Sequence, residues 1–148
     1  MPNALDYTVL AGSWRGTVRT WLDPDADPVV NEMSGTFRLA PGGASVLHDS
    51  TSFVGEKVSN GWMLIGRNIG TGRLNLIWAD SFHTGGGLQT FDAEADGSFL
   101  GSYAAGSETW RWRIRFTPSG QGQLTIEHLN ITPGGEEQRA IEVAYVRV

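Results

Sequence analysis

The chain has 148 residues and a net charge of −5, which argues against the basic face that nucleic-acid binding requires. It contains no cysteine, so disulfides, thiolate catalysis and cysteine-based metal sites are excluded. No apolar stretch approaches the roughly 20 residues that cross a bilayer, and the first residues lack the basic and apolar regions of a secretory signal. We therefore expect one cytoplasmic domain over residues 1–148, with neither a nucleic-acid nor a membrane partner.

A short helix or helical turn is predicted over residues 3–11. Asn3 can serve as its N-cap, and Leu5, Val9 and Leu10 would share one helical face. From Ser13 onward the apolar residues alternate with a period of two, which is typical of β-strands.

Ten strands are predicted from this alternation and from the glycine-containing turns between them. Such turns supply the positive φ angles that hairpins need, and short turns favour antiparallel pairing of consecutive strands. Closure removes the exposed edges of such a sheet. The predicted fold is therefore all-β, an antiparallel up-and-down β-barrel of about ten strands with a short N-terminal helix over one end. The predicted strands span residues 13–22, 33–39, 45–53, 62–68, 73–80, 88–94, 98–103, 109–117, 123–131 and 138–147.

The longest connection that lacks glycine runs from Asp23 to Pro28. It is acidic and proline-rich, which predicts a rigid surface loop at the rim of the barrel or a lid over it.

The segment Gly12-Ser13-Trp14-Arg15-Gly16 is similar to the first-strand signature of calycin barrels, which include lipocalins and fatty-acid-binding proteins. Together with residues 78–85 and Asn130-Ile131-Thr132-Pro133, it makes the chain resemble the bacterial family called domain of unknown function 1579, from about Leu10 to Arg147. The resemblance implies a lipocalin-like barrel and no settled activity. It also implies that Trp14 plugs the closed end and that Arg147 lies over it in a cation–π contact.

One departure from that family concerns Gly66-Arg67-Asn68, where members often carry Gly-Tyr-Asp. Any role of that tyrosine and that carboxylate is therefore not carried over to this chain.

The most regular strand is predicted over residues 109–116, where apolar residues alternate with arginines. Because three buried, unpaired guanidinium groups would be very costly, we expect the apolar face to point into the lumen. An inward arginine face would instead suit a carboxylate or phosphate ligand. The expected inward set is Trp110, Trp112, Ile114 and Phe116, and the expected solvated set is Arg111, Arg113 and Arg115.

An indole, a carboxylate and an imidazole stand within six positions at Trp78, Asp80 and His83. They lie where a strand ends in a glycine-rich turn, so a rigid sheet could hold them at the mouth of a cavity. A histidine there could act as a base or as a hydrogen-bond donor to a ligand. The same residues also fit a structural turn in which Asp80 binds turn amides and His83 lies at an exposed tip.

The three histidines, His48, His83 and His128, lie on different predicted strands or strand ends. Three imidazoles can bind zinc and leave one position open for water, but no local spacing motif favours this. His128 also fits a half-buried core histidine, and a single histidine could ligate haem as in related barrels. We predict no metal and no cofactor, and keep a metal- or haem-binding barrel as an alternative.

The favoured prediction for function is binding of a small, largely apolar molecule in the lumen. The walls of the site would be aromatic, and the polar anchors would lie at the mouth. One alternative is an enzyme in which His83 is the general base and Asp80 either orients it or acts as the acid. Another is a homo-oligomeric interaction protein whose barrel is filled by its own side chains. The predicted ligand-binding residues are Trp62, Trp78, Asp80, His83, Trp110 and Trp112.

Overall fold

Consecutive strands pair antiparallel around the whole molecule, and the first strand pairs with the last. A computed structural model describes residues 5–148. The closed ten-stranded up-and-down barrel confirms the predicted fold. The strands are β1 (Gly12–Thr20), β2 (Val29–Leu39), β3 (Val46–Val54), β4 (Lys57–Arg67), β5 (Leu74–Asp80), β6 (Gln89–Ala93), β7 (Phe99–Ala105), β8 (Glu108–Pro118), β9 (Gln123–Ile131) and β10 (Glu137–Arg147).

Two strands begin at least four residues earlier than predicted. β2 begins at Val29, directly after the proline that ends the rim loop, and β4 begins at Lys57. β3 and β4 are joined by a tight turn in which Gly55 has a φ of 62°. This geometry suits a two-residue hairpin turn, and it lets pairing extend to Val54 and Lys57.

The up-and-down order separates the connections into two ends of the barrel. The β2–β3, β4–β5, β6–β7 and β8–β9 turns lie at one end, called here the closed end. The other five connections form the open end, and they include the acidic loop from Asp23 to Pro28 and the glycine-rich loop from Ser81 to Leu88. The predicted rim position of both loops agrees with this arrangement.

The N-terminal helix is a short 3-10 helix, Tyr7–Leu10, and its cap is Asp6, which accepts a hydrogen bond from the amide of Thr8. The predicted cap Asn3 lies outside the described residues. The predicted α-helical face is wrong, because Val9 is 58% exposed whereas Tyr7 and Leu10 are buried. A 3-10 helix has three residues per turn, so residues 7 and 10 share its inner face. In the described part of the chain no helix has the length and apolar character needed to cross a bilayer.

Trp14 closes the barrel at this end, as predicted. Its side chain is 2% exposed, and its indole N–H donates to the carbonyl of Leu10 at 2.8 Å. The Arg147 guanidinium lies 4.5 Å from the centroid of the Trp14 ring. The same guanidinium donates to the carbonyls of Val9 and Ala11 at 2.7 and 2.6 Å. Arg147 therefore fixes both the plug and the helix that covers it.

Further aromatic side chains fill the closed half of the lumen. Trp14 packs against Phe37 and Tyr145 with ring centroids 6.2 and 6.1 Å apart. Tyr7 packs against Phe99 and Phe116 at 5.7 and 5.3 Å. These edge-on and tilted arrangements are the ones that aromatic quadrupoles favour.

The strand β8 has the predicted orientation. Trp112, Ile114 and Phe116 are buried, and Trp110 on the same face is half-buried. The arginines lie on the outer face, but the expectation that all three are mostly solvated is wrong for Arg113, whose side chain is 16% exposed. Arg113 donates to Ser98 at 2.7 Å and to Glu137 at 3.1 Å. These partners offset the cost of covering its charge.

We expect Trp14→Ala to lower the free energy of unfolding by about 3–5 kcal/mol, because it removes a core aromatic ring and leaves a cavity. Urea denaturation measures the change. Trp21→Ala is the matched control, since Trp21 is half-buried and has Arg139 at 5.5 Å over its ring. Equal losses in the two variants would contradict the role of Trp14 as the plug.

Candidate functional site

A cavity occupies the open half of the barrel. It offers about 50 Å³ of space to the centres of water-sized molecules, whereas a single water needs roughly 10–15 Å³. Its wall combines apolar side chains with hydroxyl, imidazole and carboxylate groups. It is lined by Val18, Thr20, Met33, His48, Ser50, Ser52, Val54, Ser59, Gly61, Trp62, Met63, Trp78, Asp80, His83, Ile126, His128, Ile141 and Val143.

Asp80 organises the turn at the mouth of this cavity. Its Oδ1 accepts hydrogen bonds from the backbone amides of both His83 and Thr84. The Thr84 hydroxyl binds the backbone of Asp80 twice: it donates to the Asp80 carbonyl and accepts from the Asp80 amide, each at 2.9 Å. Gly85 and Gly86 follow with φ angles of 61° and 85°, which only glycine adopts readily. The predicted structural role of Asp80 as a cap is therefore present.

The second oxygen of Asp80 has a different partner. Its Oδ2 lies 2.9 Å from Nδ1 of His83, and both side chains are mostly buried. Burial by itself raises the pKa of Asp80, but the hydrogen bond and charge of His83 and the amides of Thr84 and His83 outweigh it, so the pKa is lowered. The carboxylate therefore stays ionised and fixes the orientation of the His83 ring.

The predicted aromatic walls occupy different positions around the cavity. Trp78 is buried and lines it directly, beside His83 at 5.8 Å between ring centroids. Trp62 borders it, but lies between the inward residues Gly61 and Met63 in β4, so its indole belongs to the outer face. Trp112 lies behind Trp78 in a stacked contact at 5.3 Å. Trp110 is half-buried near the start of β8 and does not line the cavity.

His128 also lines the cavity, whereas the sequence favours a half-buried core histidine at this position. Its Nδ1 accepts the indole N–H of Trp112 at 2.9 Å, and its ring lies 4.9 Å from Trp78. Burial, followed by the charge of His83, lowers the pKa of His128 to about 3. His128 is therefore neutral in the folded protein at ordinary pH.

His48 lines the cavity further in, towards the closed end. Its Nε2 lies 3.0 Å from the hydroxyl of Tyr145, and its ring stacks on Phe37 at 4.3 Å. Burial lowers the pKa of His48 to about 4, although Asp49 opposes the shift. The contact requires a glycine at position 35, because a Cβ there would lie 2.8 Å from His48 Nε2 and closer still to the Tyr145 oxygen.

The polar wall is completed by three serines on the inward faces of β3 and β4, namely Ser50, Ser52 and Ser59. Ser50 and Ser52 donate to the carbonyls of Gly61 and Ser59 at 3.4 and 3.2 Å. Three of the inward positions of β3 are polar, and these residues, His48, Ser50 and Ser52, are visible in the sequence between apolar core positions. That signal could have identified this wall.

The histidines share one cavity without forming a metal site. Among residues 5–148, no group of three or more His, Asp or Glu side chains could hold a metal ion. The zinc hypothesis from the sequence therefore finds no support in the geometry. The free space of about 50 Å³ is also far too small for a porphyrin, which argues against the haem alternative.

Comparison with known proteins supports the fold. The sequence profile of the family described as "Protein of unknown function (DUF1579)" matches residues 8–147. No curated protein matches the chain. The S-type phycobiliprotein lyase CPES from Guillardia theta is 13% identical, with 93% of this chain and 88% of the lyase covered and a TM-score of 0.53. A de novo designed fluorescence-activating β-barrel is 12% identical over 97% of this chain and 99% of the design, with a TM-score of 0.47. At 13% identity, the likeness to the lyase shows the fold alone.

We expect the barrel to lose stability as the pH falls below about 6.5, the ordinary imidazole value. The unfolded chain then takes up protons on His48 and His128, whereas the folded chain does so only near pH 4 and pH 3. Since the unfolded state binds more protons than the folded state below about pH 6.5, the free energy of unfolding decreases as the pH is lowered. The loss is roughly 1.4 kcal/mol per pH unit for each histidine, and urea denaturation between about pH 7.5 and pH 5 measures it.

The matched variant for this prediction is His128→Gln, which keeps an acceptor for Trp112 and cannot be protonated. It should show about half of the wild-type pH dependence attributable to the two histidines. A slope equal to that of the wild-type protein would contradict the assignment of the effect to His128.

Proposed function

The chain belongs to the family described as protein of unknown function (DUF1579), and we propose that its barrel binds a small molecule at the open end. The observation that carries this proposal is the half-polar cavity with the Asp80–His83 pair at its mouth. If the lumen only filled a core, apolar side chains could pack there without burying an ionised carboxylate and the imidazole that it orients. Concave sites with a few placed polar groups are typical of ligand pockets.

The apolar part of the site would hold the hydrocarbon portion of the ligand. Trp78 offers a ring face that is itself held by stacking on Trp112. Met33 and Met63 also line the cavity, and their flexible thioether chains can repack around ligands of different shape. The free space of about 50 Å³ suits a ligand with few heavy atoms unless these methionines move.

The polar side chains of the site favour an amphipathic ligand over a largely apolar one. Thr20, Ser59, His48 and His128 all place polar side chains at the wall. A purely apolar ligand would cover these groups without replacing their bonds to water, which costs free energy. We therefore infer a ligand that carries hydrogen-bonding groups beside an apolar portion. Homo-oligomerisation stays a prediction, and it does not conflict with this site.

Native mass spectrometry of protein purified without denaturation tests whether a small molecule is bound. Ser52→Leu places a larger side chain in the cavity, while Thr51→Leu places the same side chain on the outer face of the same strand. We expect a bound small molecule on the wild-type protein and on Thr51→Leu, and none on Ser52→Leu. Three identical spectra would contradict the proposal.

The anchoring role of His83 gives a second expectation. His83→Ala removes the imidazole but keeps the backbone amide that binds Asp80. Binding of the co-purified molecule should weaken more than tenfold, or about 1.4 kcal/mol, in isothermal titration calorimetry. The melting temperature should change little, and a large drop in melting temperature without weaker binding would instead make His83 a structural residue.

A second candidate function is catalysis by the same site. The distance of 2.9 Å between Asp80 Oδ2 and His83 Nδ1 is the arrangement that orients an imidazole as a general base through its other nitrogen. His83 could then remove a proton from a bound molecule or from a water in the cavity, with Asp80 stabilising the imidazolium.

The mass of the co-purified molecule separates the two functions. Binding alone predicts the same molecule on wild-type protein and on His83→Gln, in lower amount on the variant. Catalysis predicts a different molecule on the variant, because the substrate accumulates when the base is missing.

A further inference from the structure

We propose that the ligand of this cavity is an uncharged molecule that presents a hydrogen-bond acceptor to His128 and a hydrogen-bond donor to His83, as a lactam or another secondary amide does. This inference rests on the proposed binding function and adds the chemical class of the ligand. It follows from the protons that the surrounding hydrogen bonds assign to the two imidazoles.

His128 must be a donor towards the cavity. The indole N–H of Trp112 can only donate, so Nδ1 of His128, 2.9 Å away, carries no proton. A neutral imidazole then carries its proton on Nε2. In residues 5–148, no group forms a hydrogen bond with this N–H. Every polar side-chain atom of that range that is fully covered has a hydrogen-bond partner, so Nε2 is not fully covered. The Nε2–H of His128 is therefore open to the cavity that the residue lines.

His83 must be an acceptor towards the cavity. A carboxylate can only accept, so Nδ1 of His83 carries the proton that it donates to Asp80 Oδ2 at 2.9 Å. In the neutral ring, Nε2 is then a bare acceptor. His83 lines the same cavity, and its ring and that of His128 flank Trp78 at 5.8 and 4.9 Å. One small ligand lying on Trp78 can reach both.

His48 lies deeper in the cavity, and its Nε2 is 3.0 Å from the hydroxyl of Tyr145. Because a hydroxyl can donate or accept, this contact is compatible with either tautomer of His48. Thr20 and Ser59 also carry hydroxyls that can donate or accept as the ligand requires. His83 Nε2 differs from these groups, because Asp80 fixes its role as an acceptor, and it selects for a donor on the ligand.

The wall offers no partner for a charged ligand. Among residues 5–148, the wall contains no lysine or arginine, and its carboxylate, Asp80, is occupied by two backbone amides and His83. When the imidazoles of the wall are neutral, an anion would lose its hydration without meeting a cation, and a cation would meet an acceptor that already has its partners. Burial of an unpaired charge is far more costly than burial of a paired polar group.

Long-range proton–nitrogen NMR at about pH 8, above the ordinary range of imidazole, reads the tautomers directly. We expect the Nε2–H form for His128 and the Nδ1–H form for His83. The opposite form at His83 or at His128 would overturn the proposal before any ligand is added.

Five small ring compounds then test ligand class by chemical-shift titration of the same resonances, after any bound molecule has been removed. They are 2-pyrrolidinone, cyclopentanone, cyclopentane, pyrrolidine as its cation and cyclopentanecarboxylate. We expect 2-pyrrolidinone to bind at least tenfold more tightly than each of the others, since a site built for a hydrogen bond rejects analogues that lack it. Tighter binding of an ion or of cyclopentane would overturn the proposal and leave the binding function in place.

Asp80→Asn is the sharpest variant, because it should reverse the tautomer of His83. The amide oxygen is needed by the two backbone amides that Asp80 Oδ1 now binds, so the amide nitrogen faces His83 Nδ1. The ring must then carry its proton on Nε2, and the acceptor becomes a donor. The preference for 2-pyrrolidinone over cyclopentanone should fall at least tenfold, together with a change of the His83 nitrogen shifts.

Asp96→Asn is the matched control, since Asp96 also accepts bonds from the residue two positions on but lies at the closed end. Its ligand preference should equal that of the wild-type protein. An unchanged preference in Asp80→Asn would overturn the proposal. Failure of all five compounds to bind wild-type protein would overturn this inference, whereas native mass spectrometry of the purified protein decides the binding function separately.

Discussion

A ten-stranded barrel encloses more space than its backbone can fill, and the way this chain fills one half of that space determines the rest of the molecule. At the closed end, Trp14 is held between Arg147 and the carbonyl of Leu10, and aromatic rings pack around it. This packing fixes the position of β1 against β10. In the open half, the aromatic cluster of Trp78 and Trp112 leaves a cavity beside it, which inward residues of the barrel line.

Asp80 links the stability of the open end to its chemistry. One carboxylate oxygen holds the turn that follows β5, and the other holds the imidazole of His83. Gly61 on the paired strand makes room for it, because a Cβ there would lie 3.0 Å from the Cβ of Asp80. A structural cap and a functional anchor are therefore the same side chain, and the two interpretations of this motif are not exclusive. The structural and functional roles of Asp80 can be separated by Asp80→Asn, which keeps one side-chain oxygen for the backbone amides and changes the group that faces His83.

The fold could be predicted from the sequence because it depends on short-range signals: the period of two and the glycine turns. The contact between Asp80 and His83 was also within reach, since three positions separate them. The contacts between strands that are distant in sequence could not be predicted, because these residues meet only when the sheet closes. His48 and Tyr145 are 97 positions apart. Trp62 and Met63 are both apolar, so alternation alone did not decide which faces inward. Arg113 is covered by Glu137, which is 24 positions away, and no local pattern marks that partner.

The pairing of β1 with β10 has a consequence for how the chain reaches this structure. All other strand pairs are hairpins between neighbours in sequence, whereas this pair brings residue 14 to residue 147. Contacts of such long sequence separation form slowly, because the entropy of closing the loop must be lost before they contribute. Until that step, the sheet is open and both terminal strands are unpaired edges, which invite association with other chains. We therefore expect the yield of folded protein at high concentration to depend on the speed of this closure, and the contact of Arg147 with Trp14 joins the two edges once it has occurred.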